Sequence, residues 1–261
     1  MPVIVSSTRR NASNMQGTNR MIRRWPSALM AVVTLLGAGV TSAGVVMNAT
    51  RYIYDANAKE ITVKVSNNGK LPVLTQAWID DGDARSTPEH VNVPFNLTPP
   101  IARVERGKSQ TLRISHTGGT MPADRESQYW INVLEVPPKA EDSKDSSKMQ
   151  LAFRYRLKLF YRPEGLPGSA AAAPDKLSWT RAADGGLSVS NPSAYHVTLN
   201  DVRLGVDGRE VSVEPFAIAP FASSTRKLES ALPSAGEIKL HYQSINDYGG
   251  FATYDKTVGS P

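Results

Sequence analysis

From Met149 to Tyr161 the chain reads MQLAFRYRLKLFY, with an apolar residue at every odd position: Met149, Leu151, Phe153, Tyr155, Leu157, Leu159 and Tyr161. A period of two belongs to a β-strand, whose successive side chains point to opposite faces of a sheet. At a rise of roughly 3.3 Å per residue this run extends about 40 Å, around twice the reach of an ordinary strand. One small sandwich does not cover that length. Part of the apolar edge is therefore expected to lie open, as a template on which another chain adds a strand.

Upstream, shorter β-rich runs alternate with turn residues: ATRYIYD, EITVKVS, LTQAWI, HVNVPFN, QTLRIS and QYWINVLEV, separated by signals such as Asn67-Asn68-Gly69, Asp81-Gly82 and Gly118-Gly119. About seven strands at this spacing, with no good amphipathic helix among them, predict an immunoglobulin-like sandwich. The stretch from Pro163 to Pro174 is rich in Pro, Gly and Ala and suits neither sheet, which places a domain boundary there. Strand-like runs then resume: LSWT, GLSVSN, HVTLNDVRL, EVSV, STRKL, EIKLHYQS and FATYD. The fold class is thus all-β. A first domain spans 44–163, a linker 164–174 and a second, smaller β-sandwich 175–261. The polar segment Lys139 to Lys148, which leads into the long strand, is expected to be a mobile hairpin loop.

The first 43 residues hold five arginines and no acidic side chain, and Arg20, Arg23 and Arg24 stand just before an apolar stretch, Ser27 to Val40. Thr41-Ser42-Ala43 follows. This is the pattern of a secretory signal peptide, 1–43, with the mature chain beginning near Gly44. The alternative, a membrane anchor, is disfavoured because the stretch falls short of the ~20 residues that span a bilayer. Without this segment 25 basic residues face 24 acidic ones, so the mature chain is close to neutral and gives no support to nucleic-acid binding. Cysteine is absent, which excludes thiol catalysis and cysteine metal sites.

The four histidines stand singly, without metal-ligand spacing, and no Gly-x-Ser-x-Gly elbow or phosphate-cradling glycine loop is present. Neither catalysis nor a cofactor is expected. Asp80-Asp81-Gly82-Asp83 lacks the alternating ligands and distal Glu of a calcium loop and reads as a hairpin turn. Arg51, in the first strand of the mature chain, and Lys158, in the last strand of the first domain, are either plain surface charges or a pair.

The chain resembles the periplasmic chaperones of the chaperone–usher pathway, the PapD-like pilus-assembly family. The resemblance rests on Thr50-Arg51-x-Ile53-Tyr54, Leu71-Pro72-x-x-x-Gln76-Ala77-Trp78, Thr98-Pro99-Pro100-x-x-Arg103, Arg125-Glu126-Ser127, Asn132-Val133-x-Glu135-Val136-Pro137-Pro138, Lys158-Leu159-Phe160-Tyr161-Arg162-Pro163 and Ile245-Asn246-Asp247-Tyr248-Gly249, in that order. It implies two immunoglobulin-like domains set at an angle with a cleft between them. Arg51 and Lys158 would anchor the terminal carboxylate of a pilin (fimbrial) subunit there. Met149, Leu151 and Phe153 would be donated to the subunit's incomplete sandwich, and Glu126, Arg162 and Asp247 would form a charged cluster bridging the domains. An unbroken strand puts Lys158 on the opposite face from the three donors, so a twist or bulge is expected to reconcile them. The implied function is a periplasmic chaperone of a Gram-negative bacterium, not embedded in the membrane, that hands subunits to an outer-membrane usher. A short loop before the donor strand and the lack of a cysteine pair resemble the members that assemble rod-like pili. The alternative is a secreted structural or adhesive β-sandwich protein that self-associates through its long strand.

Overall fold

The structure, a computed structural model, describes residues 44–138, 151–206, 208–229, 231–233 and 236–258. The expected signal peptide 1–43, the polar loop 139–148 with its flanking donor candidate Met149, and the last three residues lie outside the described residues. Among the described residues, seventeen strands and two short 3₁₀ turns account for the regular structure. No helix is long and apolar enough to cross a membrane among the described residues.

The first sandwich holds β1 (Val45–Met47), β2 (Arg51–Asp55), β3 (Ile61–Asn67), β4 (Val73–Asp80), β5 (Phe95–Thr98), β6 (Ile101–Val104), β7 (Ser109–His116), β8 (Ser127–Val136) and β9 (Phe153–Arg162). One sheet runs β1-β3-β7-β5 and the other β2-β9-β8-β4-β6. Alternation sets the core: Val63, Val65, Leu112 and Ile114 from one sheet meet Tyr54, Ile131, Val133 and Leu159 from the other, all at most 1% exposed. The acidic turn after β4 is a passage between sheets and not a hairpin, because β5 belongs to the opposite sheet. There the Gly82 N–H donates to Asp80 Oδ1 at 2.7 Å, closing a tight turn at a glycine with φ of 127°.

Strands β10 (Ser178–Arg181), β11 (Leu187–Ser190), β12 (Val197–Val206), β13 (Arg209–Val213), β14 (Phe216–Ile218), β15 (Ser223–Arg226), β16 (Ile238–Ile245) and β17 (Phe251–Val258) build the second sandwich. Its sheets run β10-β11-β15 and β13-β12-β16-β17, with β14 also on β12, around a separate core that includes Trp179, Leu199, Leu204 and Tyr242. The Pro/Gly/Ala stretch between the sandwiches joins neither sheet but is docked on this second core. Ala173 is fully buried in it, Leu166 and Ala170 pack against it, and the Tyr242 hydroxyl donates to the Pro174 carbonyl at 2.7 Å.

Two features of the first sandwich decide what its edge can do. The opening strand is split: β1 pairs antiparallel with β3 in one sheet, and after 48–50 the chain crosses to the other sheet, where β2 pairs parallel with β9. The Asn48 side chain pins this crossing, its Oδ1 accepting from the Tyr52 hydroxyl at 2.8 Å and the Lys64 N–H at 3.1 Å. As a result β2 covers β9 only from Lys158 to Arg162, whereas β8 pairs β9 on the other side from Phe153 to Tyr161. The edge of β9 from 153 to 157 faces no strand among the described residues.

Among the described residues the long strand begins at Phe153, with Leu151 and Ala152 outside it. The reason lies across the ladder. Continuing the register beyond Glu135↔Phe153 would set Leu151 opposite Pro137, and Pro137 and Pro138 have no N–H to donate.

Candidate functional site

Pleat parity assigns each face of β9 its own work. The odd residues Tyr155, Leu157, Leu159 and Tyr161 turn into the first core, and the same row continues outward to Phe153, 54% exposed, with Leu151 just before the strand, 56% exposed. Even residues Arg154, Arg156, Lys158, Phe160 and Arg162 line the outer face. The β8–β9 register is continuous from Phe153 to Tyr161, so no bulge brings Lys158 onto the donors' face. The expected bulge is absent over that span, and the two groups of residues work from opposite faces of one strand.

On the outer face the parallel register sets Arg51 directly beside Lys158. Both reach into the second domain. Arg51 Nη1 donates to the Ile245 carbonyl at 2.9 Å, and Lys158 Nζ donates to the Thr198 hydroxyl at 2.8 Å. Neither cation has a carboxylate within 4 Å among the described residues. Arg51 is 8% exposed, and its Nε is buried without a hydrogen-bond partner. Burial pushes the Lys158 ammonium down to about 8, and the adjacent Arg51 charge pushes in the same direction. Burial also lowers the Arg51 guanidinium, with the Asp247 charge acting against it. Two like charges side by side in a partly dry cleft disfavour each other, a cost that a bound anion would relieve. Of the two groups that hold these cations, Ile245 opens the last of the motifs behind the resemblance, but its carbonyl contact and the Thr198 hydroxyl were not anticipated, because both reach the cations from the second domain.

Next to this pair, Arg162 joins two acidic groups. Its Nε donates to Glu126 Oε1 at 2.7 Å and its Nη1 to Asp247 Oδ2 at 2.9 Å. Burial disfavours the Arg162 charge, but the hydrogen bond with Asp247 and the charge of Glu126 outweigh it and hold the guanidinium above its ordinary pKa. Glu126 makes further contacts across the domain boundary: its Oε2 accepts the His196 N–H at 2.8 Å, and its own N–H donates to the Ala194 carbonyl at 2.9 Å. The structure therefore brings Glu126, Arg162 and Asp247 together as one bridge between the sandwiches.

A second ionic network lies further along the same face and was not foreseen from the sequence. Asp80, fully buried, accepts from Arg156 Nη2 at 2.5 Å and from Asn132 Nδ2 at 2.7 Å, while Arg154 Nη2 donates to Asn132 Oδ1 at 2.8 Å. Burial works against the Asp80 carboxylate, yet the donors around it outweigh burial and keep its pKa low. Arg154 stacks on Trp78 and Arg156 on Trp130, at 4.6 Å and 4.4 Å from the ring centroids. These contacts tie the half of β9 that β2 does not cover to β8 and β4. The cue was present, since Asn132 and Trp78 stand in two of the motifs that carry the resemblance, but only pairing shows that they meet. No group of three or more His, Cys, Asp or Glu that could hold a metal ion occurs among the described residues.

Comparison with known proteins agrees with this architecture domain by domain. Residues 44–167 match the family model described as pili and flagellar-assembly chaperone, PapD N-terminal domain, and residues 172–256 match that of pili assembly chaperone PapD, C-terminal domain. The chaperone protein FimB/FhaD of Bordetella pertussis is 44% identical over 236 residues, covering 89% of this chain and 95% of that protein. A probable fimbrial chaperone of Escherichia coli, YadV, is 39% identical over 230 residues, covering 86% and 94%. The crystal structure of the YadV chaperone superposes with a TM-score of 0.72 at 37% identity, covering 83% of this chain and 100% of that one. A Salmonella enterica SafB chaperone solved in complex with SafA pilin superposes with a TM-score of 0.69 at 29% identity, covering 82% and 96%.

The bridge yields a direct expectation. Arg162→Ala leaves Glu126, 2% exposed at its side chain, without its guanidinium and removes the link to Asp247. Breaking a buried pair in this way costs about 3–5 kcal/mol, and the angle between the sandwiches should loosen. Small-angle scattering should show a broader distribution of interdomain distances. An unchanged distribution would remove the cluster from the account.

Proposed function

The chain belongs to the PapD-like family of pilus-assembly chaperones, and we propose that it binds pilin subunits by lending them the open edge of β9 while Arg51 and Lys158 hold the subunit's terminal carboxylate. The observation that carries this reading is the Arg51–Lys158 pair, with no carboxylate within 4 Å of either cation among the described residues, standing where the open edge ends. β2 occupies the edge of β9 from Lys158 onward, so a visiting strand has room only alongside residues 151–157. If its terminal carboxylate sits at Arg51 and Lys158, that strand must run parallel to β9. The anchor thus fixes both register and direction. Each charge-assisted hydrogen bond contributes about 1.5–3 kcal/mol.

Main-chain hydrogen bonds along the edge supply affinity with little sequence dependence, and the side chains at the open end supply fit. Leu151 and Phe153, with Met149 as the third donor, would fill the groove of a subunit whose own sandwich lacks a strand. Burying the first two contributes about 3–6 kcal/mol before the cost of ordering. Release follows by exchange of this strand for a better-fitting extension from the next subunit, without ATP and without covalent chemistry. Delivery to an outer-membrane usher needs a surface that stays free during this exchange. Exposed Leu71, Leu74 and Ile101, at the β4–β6 margin opposite β2 and β9, support that role. The basic head, apolar middle and small-residue exit of 1–43 support export to the periplasm with cleavage between Ala43 and Gly44.

Leu151→Asp tests the donor assignment, because this side chain is exposed in the free protein and its replacement leaves the core untouched. Thermal stability should stay within about 0.5 kcal/mol of the parent while subunit capture in a pull-down is lost. An unfolded variant would place Leu151 in the chaperone's own core and end the assignment.

The anchor is tested through pH. A carboxylate binds the ammonium form of Lys158, whose pKa in the free protein is pushed down to about 8. Affinity for a subunit should therefore be constant below that pH and fall above it, by up to about tenfold per unit, as free Lys158 gives up its proton. Lys158→Met should bind more weakly and lose this inflection, because Arg51 keeps its charge throughout. Identical pH profiles for the two proteins would show that Lys158 is not part of the anchor.

A further inference from the structure

Gly44, the first described residue, lies against the carboxylate of Glu135. A Cβ on Gly44 would fall 2.0 Å from Glu135 Oε1, and the neighbouring Val45 N–H donates to Oε2 at 3.2 Å. Covalent geometry sets a backbone nitrogen about 2.5 Å from its Cβ position, so the Gly44 nitrogen lies within about 4.5 Å of Oε1. Glu135 points inward from β8, is 6% exposed, and also accepts the Tyr155 hydroxyl at 3.1 Å. No Lys, Arg or His nitrogen stands within 4 Å of it among the described residues. A buried carboxylate faced only by neutral donors is an unfavourable arrangement that a cation would relieve.

We propose that the α-ammonium created when cleavage frees Gly44 is the cation of this site, so that removal of the leader itself latches β1 onto β8 and β9. The inference rests on the cleavage reading given above. Before cleavage the Gly44 nitrogen is a neutral amide; afterwards it carries a full charge next to Glu135. The other side of Gly44 is already fixed, since its carbonyl accepts the Asn68 N–H at 2.8 Å, just past the end of β3 in the opposite sheet. The terminus therefore joins the two sheets at the end of the sandwich where β9 is open. Glu135 lies opposite Phe153 in the ladder and bonds Tyr155, so the latch bears on the residues that flank the open edge.

The charged and titratable groups around the terminus are few. Glu135 comes from β8 and Tyr155 from β9, whose phenol is pushed up by burial and by the Glu135 charge and so stays a donor. The adjoining turns add Lys70 and, from the 105–108 turn, Glu105, Arg106 and Lys108, all solvent-exposed. Pairing raises the pKa of an amine, so the stabilisation is fully present below the free amine's value of about 8 and is lost as pH rises through the higher folded value.

The intact mass of the exported protein tests the cleavage reading alone, and a first residue of Gly44 is expected. The latch is tested separately on chains of defined first residue, one beginning at Gly44 and one retaining Ala43, each with Glu135 and with Glu135→Gln. At pH 7 the extra Ala43 should lower the melting temperature of the parent chain by about 3–6 °C and that of the Glu135→Gln variant by under about 1 °C. Should Glu135→Gln fail to fold, the pH arm on the two chains that keep Glu135 decides: their difference should vanish as the amine titrates. Equal losses in both backgrounds, a pH-independent difference, or an exported chain that begins elsewhere would overturn the proposal. No arm uses a subunit, so the latch and the chaperone reading stand or fall separately.

Discussion

The structure turns on one missing interaction, the absence of a strand beside residues 153–157 of β9 among the described residues. An unpaired edge on a well-ordered strand is normally a liability that proteins cover, twist away or charge. Here it follows from the crossing of the first strand between sheets at 48–50, which places β1 against β3 and leaves β2 to cover only the far half of β9. The exposed backbone is kept straight by the contacts on its other side. An unbroken register with β8 from Phe153 to Tyr161, and the Arg154 and Arg156 contacts to Asn132 and Asp80, hold it ready. Preorganisation of this kind lowers the ordering cost of adding a strand.

The second sandwich gives that edge an end. It contributes little to the first core, yet its Thr198 hydroxyl and Ile245 carbonyl hold Lys158 and Arg51 where β2 begins. The Glu126–Arg162–Asp247 bridge fixes the distance over which they do so. Buried like charges are tolerated because these polar contacts offset part of their desolvation, and an arriving carboxylate would offset more. On the proposed reading the domain angle and the anchor would be one device: an altered angle would move Thr198 and Ile245 away from the cations they contact.

Much of this was legible in the chain. Alternation of apolar residues marked most of the strands of the first sandwich and showed that the odd and even residues of β9 face opposite ways. The Arg51–Lys158 pairing and the Arg162 bridge came from the motifs and not from periodicity, because each joins residues far apart in sequence. The strand's early end was also visible, in the Pro137-Pro138 pair that faces it, but only once the β8–β9 register is known. What the sequence did not show depends on non-local pairing. The split between β1 and β2 is a choice between two sheets that a short apolar run does not specify. Asp80 read as a turn residue, whereas it is buried by side chains from two other strands. The side chain of Thr198 gives no hint of its role until the second sandwich is set against the first.

The central claim, that the open half of β9 takes a strand from a subunit, is most directly tested by amide hydrogen exchange on the free and subunit-loaded chaperone. In the free protein every second amide between 153 and 157, on the side away from β8, should exchange rapidly, while its neighbours in the β8 ladder are protected. Loading should protect that fast set and leave the ladder amides as they were. Protection confined to the cleft around Arg51 and Lys158, with the 153–157 amides still exchanging freely, would show that the subunit is held by its carboxylate alone and would contradict the account.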